Sequence, residues 1–302
     1  MFDLISIGCI SLDTFTQVVS LPRANSESFV VRKYEAHGGG AATVAAYAAF
    51  YGGLKTGLVS KIGGDKEGKE LVDRIEEYGV SVEGISIENN CSSTIITIIH
   101  DLELNRIYLV NLGAVEKLSV QDMPLEYTSN SKLFYIAPAP PKIHKEFIEL
   151  GVNLNKLIAF NPGSVYFQEG GKKELERLLQ FVDFLFVDEQ EALEYTNENS
   201  ARTAGLLLQK RGAKHVIVTR GSLGCMVFFE GQCESYQSKR TERVLHVGGG
   251  DVFAAGFLSK MIKVRNIELA ATFGNALAAF ALSQETVRQH APNKKRFIDF
   301  LK

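Results

Sequence analysis

The chain has 302 residues, of which 45% are hydrophobic and 23% charged, and its 33 lysines and arginines face 35 acids for a formal charge of −2. A chain of this length buries enough apolar surface to fold without disulfides or a structural metal. The near-neutral balance leaves no basic surplus to neutralise phosphates along a polymer, which argues against nucleic acid as the main partner.

The amino-terminal segment carries an acid, Asp3, where a secretory signal peptide would be positively charged, and no long apolar stretch follows it. The most apolar stretches, 41–50 and 276–282, are too short to span a bilayer. The four cysteines include no C-x-x-C pair and are predicted to be free thiols. We therefore expect a cytoplasmic protein with no membrane contact.

Short apolar runs, of the kind found in strands buried on both faces of a parallel sheet, recur along the chain. In chain order they cover residues 4–9, 55–59, 132–136, 157–160, 184–187 and 215–219. Stretches with helical spacing follow them, at 41–51, 66–78, 144–153, 172–180, 190–195, 201–210, 252–262, 267–282 and 294–301. The alternation predicts an α/β fold, a doubly wound and mostly parallel sheet with helices on both faces.

Two pairs of strand-like segments interrupt this alternation: 13–19 with 28–35, and 93–100 with 105–110. With no helix between their members, they are expected to form a small antiparallel β lid over the carboxyl ends of the main strands. The alternative is an extension of the main sheet. The prediction is one domain over residues 1–302, with lid segments at about 13–36 and 92–111.

One glycine-rich stretch, 63–69, has the G-x-x-x-x-G-K spacing of a P-loop. Glu70 stands where the Ser or Thr that binds Mg²⁺ would be, and a carboxylate there repels phosphate, so a P-loop is rejected. A dinucleotide fingerprint is rejected as well, because the first strand is followed by Gly8 alone.

The strongest local signal is Gly248-Gly249-Gly250-Asp251 before a predicted helix. Glycines let the backbone approach a ligand closely, and the positive end of the helix dipole favours an anion there. A carboxylate beside such an anion can take the proton of a hydroxyl that attacks phosphorus. The alternative is a flexible loop with Asp251 as an ordinary helix cap.

Five motifs, taken in chain order, are similar to those of the PfkB/ribokinase family of sugar and nucleoside kinases, over residues 8 to about 275. They are GGGAATVA (38–45), KIGGDKEG (61–68), DEQE (188–191), VTRGSLG (218–224) and GGGD (248–251). Their family counterparts are the first glycine-rich signature, V-G-x-D-x-x-G, N-x-x-E, V-T-x-G-x-x-G and G-A-G-D. The resemblance implies a ribokinase-like fold and an ATP-dependent kinase that phosphorylates a hydroxyl of a small sugar or polyol.

The resemblance also implies a role for each matching position. Asp251 would be the catalytic general base, and the amides around Gly248, Gly249 and Gly250 would form an anion hole for the γ-phosphoryl group. Asp13, at the end of the first strand, would bind substrate hydroxyls. Gly38 and Gly39 would let the substrate approach the backbone closely, and Thr43 would be a further substrate contact.

On the donor side, the resemblance implies ATP and Mg²⁺ as cofactors. Asp188 and Glu191 would hold the metal through water. The nucleotide would be bordered by Thr219, Gly221, Gly224 and Asn275.

Three departures from the family pattern bear on these roles. Leu245 replaces an Asp that helps hold potassium in some members, and 286–292 lacks a glycine often found there, so a monovalent cation is doubtful. Thr43 stands where sugar kinases often have Asn, so the acceptor can differ from ribose. Asp188 replaces the Asn of N-x-x-E, which adds a negative charge that can tighten the hold on Mg²⁺.

Several alternatives stay open. A nucleoside kinase on the same fold could stack a base on Phe15, Phe29 or Tyr108. A phosphorylated acceptor could use three cations near the lid: Arg23, Lys33 and Arg106. A non-catalytic regulatory or binding homologue is kept open by the Leu245-His246 substitution. A homodimer through the lid would cover apolar faces that a monomer exposes.

Overall fold

The computed structural model describes residues 1–239, 247–283 and 293–302. Within these ranges the strands are β1 (Phe2–Ile7), β2 (Ser11–Val18), β3 (Val30–Gly38), β4 (Thr56–Gly63), β5 (Ser81–Glu88), β6 (Thr94–His100), β7 (Arg106–Asn111), β8 (Ser131–Ile136), β9 (Leu157–Phe160), β10 (Phe184–Asp188), β11 (His215–Thr219), β12 (Cys225–Phe229) and β13 (Gln232–Tyr236). The helices are α1 (Gly40–Phe50), α2 (Lys66–Glu76), α3 (Leu125–Ser129), α4 (Pro141–Asn153), α5 (Gly171–Leu179), α6 (Glu189–Thr196), α7 (Ala201–Lys210), α8 (Gly249–Val264), α9 (Ile267–Leu282) and α10 (Lys294–Leu301).

The main sheet contains nine of the described strands in the order β13-β12-β11-β10-β9-β8-β1-β4-β5. The seven strands from β11 to β5 run parallel, and β12 and β13 add an antiparallel hairpin at one edge. The prediction of a mostly parallel sheet is confirmed. The sequence pattern misses β5, because Glu83 and Gly84 interrupt its apolar residues and most of its side chains are only partly buried.

Helices cover both faces of this sheet, as predicted. Successive side chains of a strand point to opposite faces, so Leu4 of β1 packs into one core while Ile5 and Ile7 pack into the other. The first core is closed by α1, α2, α8, α9 and α10, and the second by α3 to α7.

The remaining strands form a second, small sheet in the order β3-β2-β6-β7, so the alternative of a simple extension of the main sheet is wrong. Its two hairpins are antiparallel, but the central β2 and β6 pair is parallel, which corrects the expectation of an antiparallel sheet throughout. The reason lies in the main sheet. Because β1 and β5 run in the same direction and are followed by β2 and β6, both strands leave the same edge with the same polarity.

The small sheet therefore stands at the carboxyl edge of the parallel strands, where open α/β sheets bind their ligands. No helix in the described ranges combines the length and the apolar character needed to cross a membrane.

Candidate active site

A cavity of about 180 Å³ lies between the small sheet and the first turns of α1 and α8. One part of its lining is polar and includes Asp13, His37, Thr43, Asp251 and the glycines 38–40 and 248. The rest of the lining, which we call the apolar side of the cavity, comes from the small sheet and the residue before Gly248: Phe15, Ala36, Ile96, Ile98, Tyr108, Val110 and Val247. Asp13 borders it directly, because it pairs with Ala36 and Ile96 in the small sheet. The cavity thus offers both hydrogen-bonding and apolar groups to one ligand.

Asp251 lies in the first turn of α8. Gly248, with a φ of 78°, forms the left-handed turn that caps the helix, and Gly249 is the first helical residue. The carboxylate therefore stands beside the amides of the first helical turn, at the positive end of a 16-residue helix. The hydroxyl of Tyr135, a fully buried residue of β8, donates to Asp251 Oδ1 at 3.5 Å.

Asp13 lies within β2, two residues after its start, rather than at the end of the first strand. It is buried, and the hydroxyl of Ser11 donates to its Oδ1 at 2.6 Å. Gly38, at the end of β3, lies against this carboxylate so closely that a Cβ there would overlap it. The glycine is therefore what leaves room for a buried acid at this point of the cavity.

Gly39 forms the turn into α1, with a φ of 90° that other residues rarely adopt. A side chain there would also collide with the backbone carbonyl of Cys9. Thr43 lies one turn into α1, and its hydroxyl donates to the carbonyl of Gly39 at 2.9 Å while facing the cavity. The first glycine-rich motif thus brings the start of α1 against the cavity.

Asp188 and Glu191 begin α6 as a reciprocal capping box. The Asp188 amide donates to Glu191 Oε2 at 2.9 Å, and the Glu191 amide donates to Asp188 Oδ1 at 2.7 Å. Burial, together with the negative charges of Asp188 and Asp251, raises the pKa of Glu191 to about 7. Asp188 and Asp251 lie close enough to Glu191 to repel its negative charge, and a bound cation would reduce this repulsion.

The donor set fits Mg²⁺, which proteins hold through one or two carboxylates with water and phosphate oxygens completing its shell. Asp188 and Glu191 each keep an oxygen outside the capping box. Among the described residues, no group of three or more His, Cys, Asp and Glu side chains is placed to hold a metal unaided. A metal at this pair would accordingly bind together with a phosphate ligand.

The predicted nucleotide residues lie apart from the cavity, along the ends of β11 to β13. Thr219 is the last residue of β11, opposite Asp188 of β10, and Gly221 opens a short 3₁₀ turn after it. Gly224 packs against the backbone of Tyr236.

Asn275 of α9 is buried, and its amide donates to the carbonyls of Tyr236 and Gln237 at 3.0 and 3.3 Å. In the structure Asn275 therefore anchors the end of β13, the strand beside the predicted nucleotide turn.

Two predicted features fall elsewhere. Leu245, His246 and the segment 286–292 lie outside the described residues. The three cations considered for a phosphorylated acceptor, Arg23, Lys33 and Arg106, are exposed and do not line the cavity.

Of the aromatic residues considered for stacking a base, Phe15 and Tyr108 line the cavity, and Phe15 stacks on Tyr34 with ring centroids 4.8 Å apart. Phe29 does not line it and is 81% exposed.

Sequence reasoning missed Tyr135 below Asp251. Its strand was predicted, and strand alternation could have placed its side chain on the face that α8 covers, but only with α8 assigned to that face. His37 and the aliphatic residues of β6 and β7 were missed for the same reason, because their place depends on which strands pair.

Comparison with known proteins gives consistent matches over nearly the whole chain. The sequence model of the pfkB family carbohydrate kinases matches residues 1–294. A nucleoside kinase of Methanothermobacter thermautotrophicus is 26% identical over 96% of this chain and 93% of its own length. A cytidine kinase of Thermococcus kodakarensis is 31% identical over 91% of this chain and 94% of its own. The crystal structure of a ribokinase from Thermotoga maritima superposes with a TM-score of 0.84 at 20% identity, covering 100% of this chain and 99% of that one. The predicted ribokinase-like fold is thereby confirmed.

Proposed function

The chain belongs to the pfkB family of carbohydrate kinases, phosphotransferases with hydroxyl acceptors, and from this premise we propose that it transfers the γ-phosphoryl group of ATP to a nucleoside. The family includes sugar and nucleoside kinases, and the relatives named above as nucleoside and cytidine kinases favour the second class. A sugar or polyol acceptor, the first expectation from sequence, is the alternative that the experiment below tests.

The observation that carries the choice is the mixed polar and apolar lining of the cavity. The hydroxyls of a ribose would meet the carboxylates of Asp13 and Asp251, and the flat base would lie against the apolar side, where Tyr108 offers a ring to stack on. A free sugar would leave that apolar side in contact with water. The mixed lining thus supports an acceptor that carries both hydroxyl groups and an aromatic ring.

In the proposed reaction, Asp251 accepts the proton of the attacking hydroxyl. The amides around Gly248, Gly249 and Gly250, at the amino terminus of α8, stabilise the charge on the phosphoryl group as it transfers. The Tyr135 hydroxyl holds one oxygen of Asp251. The small sheet would exclude water, so that the group passes to the acceptor rather than to solvent.

On the donor side, ATP would lie along the turn that follows β11, bordered by Thr219, Gly221 and Gly224, with Asn275 holding the neighbouring strand end. Asp188 and Glu191 would hold Mg²⁺ through water. When bound, the metal neutralises phosphate charge.

The test is ADP release by purified protein with Mg·ATP and a panel of acceptors: nucleosides, pentoses, hexoses, inositol and sugar phosphates. We expect at least one nucleoside to exceed free ribose by about a hundredfold in kcat/KM, because the base adds buried apolar contact. Asp251→Asn should lower kcat by about a thousandfold and leave ATP binding intact.

Each contrary result would overturn a different part of the proposal. Preference for a free sugar would overturn the nucleoside acceptor and leave the kinase. Full activity of Asp251→Asn would overturn the assignment of the base. ATP binding without turnover on any acceptor would favour the regulatory homologue.

We further propose that two copies associate through the outer face of the small sheet. On β7, Tyr108 and Val110 line the cavity, so the alternating side chains of the strand between them point to the outer face. These outer side chains are Ile107, which is 40% exposed, and Leu109, which is 56% exposed. Apolar side chains exposed in a row on a strand favour contact with another protein surface.

A further inference from the structure

The glycine-rich stretch from Gly63 to Glu70, rejected as a P-loop, has no role in the reaction described above. It joins the end of β4 to the start of α2 and does not line the cavity. Its amides point to a different use, because the Gly68 amide donates to the carboxylate of Asp65 at 2.9 Å rather than outward to a ligand.

The Asp65 carboxylate also accepts two hydrogen bonds from Ser93, which is fully buried. The Ser93 amide donates to Asp65 Oδ2 at 2.7 Å, and the Ser93 hydroxyl donates to Oδ1 at 2.5 Å. The same hydroxyl accepts from the Gly63 amide at 3.0 Å. Burial would raise the pKa of Asp65, but the hydrogen bonds from Ser93 and Gly68 hold it below its usual value, so the carboxylate stays charged.

Ser93 is the point where the chain enters the small sheet, immediately before β6. The end of β7 is fastened to the same point: the Ala114 amide donates to the Ser92 carbonyl at 2.8 Å, and the Thr94 hydroxyl donates to the Leu112 carbonyl at 2.8 Å. Both ends of the β6–β7 hairpin are thus joined to each other and, through Ser93, to Asp65.

The glycine spacing of the stretch follows from this contact. A Cβ at Gly63 would collide with the carbonyl of Cys91, two residues before Ser93. The motif therefore lets the base of the hairpin lie directly on the end of β4.

The β6–β7 hairpin supplies Ile96, Ile98, Tyr108 and Val110 to the apolar side of the cavity. We propose that Asp65 and Ser93 are positioning residues for the acceptor: they fix the β6–β7 hairpin on the main sheet so that its apolar side chains meet the bound base. When the hairpin is already ordered before the acceptor binds, less of the binding free energy is lost in ordering it.

The test compares Ser93→Ala and Asp65→Asn with the unchanged protein. Ser93→Ala removes the two hydrogen bonds of the hydroxyl, to Asp65 Oδ1 and from the Gly63 amide, and so weakens the link to the hairpin while the backbone amide of residue 93 still reaches Asp65. The bond from Gly68 that caps α2 is kept, so the helix start is preserved. We expect KM for the nucleoside to rise about tenfold, with kcat and KM for ATP within about twofold, because the lost interaction acts on acceptor binding alone. Asp65→Asn should behave in the same way.

Ser200→Ala is the matched control, since it removes the side-chain cap of α7, far along the chain from the small sheet. It should lower the melting temperature and leave acceptor KM unchanged. The inference depends on the proposed function for this kinetic readout only, so hydrogen exchange over 94–111 without substrate is measured in parallel. Faster exchange there in Ser93→Ala than in the unchanged protein is expected, with β8 to β11 unaffected.

Unchanged acceptor KM and unchanged exchange in both variants would overturn the inference. If the unchanged protein phosphorylates no acceptor but Ser93→Ala exchanges faster over 94–111, the hairpin attachment stands and the proposed function fails.

Discussion

At the scale of single residues, the two acids of the cavity are held by different means. Asp251 stands at the start of a helix, where amides and a buried tyrosine hydroxyl surround it. Asp13 is buried in a strand and depends on Ser11 and on the missing side chain of Gly38. The position of Asp13 is therefore sensitive to a change on the neighbouring strand.

Gly38→Ala tests this dependence. Its methyl group would occupy the place of the Asp13 carboxylate, and displacing a substrate-orienting group by about 1 Å can cost about a hundredfold in rate. We expect kcat/KM for the acceptor to fall by about that factor, measured by steady-state kinetics. Because both changes act through one carboxylate, the double variant with Asp13→Ala should lose no more than Asp13→Ala alone. Independent, additive losses would contradict this account.

The residues of the site differ in whether a short sequence motif is enough to predict their position. Some site residues form short contiguous motifs, so their place at the start of a helix could be predicted from the sequence. These are the glycines at 38–40 and 248–250 together with Asp251. Tyr135 and Tyr108 belong to no such motif, because each is brought to the site by the pairing of strands that are distant in sequence. Their contribution could be read only from the fold.

At the scale of elements, α4 holds the turn that follows β8. His144, fully buried, lies with Nε2 2.9 Å from the amide nitrogen of Ala139 and Nδ1 3.0 Å from the Tyr166 hydroxyl. Nε2 also lies 3.1 Å from the carbonyl oxygen of Ala137, so the ring contacts two backbone groups of this turn. The neutral ring thus fastens a turn whose Ala137 side chain lies near Gly40 at the cavity.

Acid should loosen this element. Burial lowers the pKa of His144 from 6.5 to about 4 in the folded protein, so between these values the unfolded chain binds a proton that the folded protein does not. The contribution of His144 to the free energy of unfolding should therefore fall as pH drops from about 6.5 to about 4, while that of Glu191, whose pKa is raised, changes in the opposite direction. Calorimetry of the unchanged protein and His144→Gln checks this, and the decline should be shallower in the variant. Equal slopes would mean that other groups cause the acid sensitivity.

Element boundaries were predictable where apolar periodicity is strong, as in β9, β11, α7 and α9, whose predicted ranges match the structure. The half-exposed edge strand β5 escaped detection because its sequence lacks that periodicity. Strand direction within the small sheet was predicted wrongly in its central pair, since polarity there is set by β1 and β5 and not by the segments themselves.

At the scale of the whole molecule, the small sheet has one face over the cavity and one outward. If two copies meet through the outward face, Ile107→Glu with Leu109→Glu should give monomers, because two charges would have to be buried. Sedimentation velocity at micromolar concentration should show a dimer for the unchanged protein. Leu269→Glu on α9, another apolar residue about half exposed, is the control and should leave the dimer intact. An unchanged protein that sediments as a monomer would contradict the association.

The parallel pairing of β2 with β6 also bears on the order of folding. These strands are brought together only after β1 and β5 have taken their places on either side of β4, because each hairpin is an insertion at a different point of the chain. Contacts between segments this far apart in sequence close late, after the loops between them have been shortened by other structure. We therefore expect β1, β4 and β5 to pair before β2 meets β6, so that a refolding chain gains the ability to bind its acceptor only after this part of the main sheet has formed.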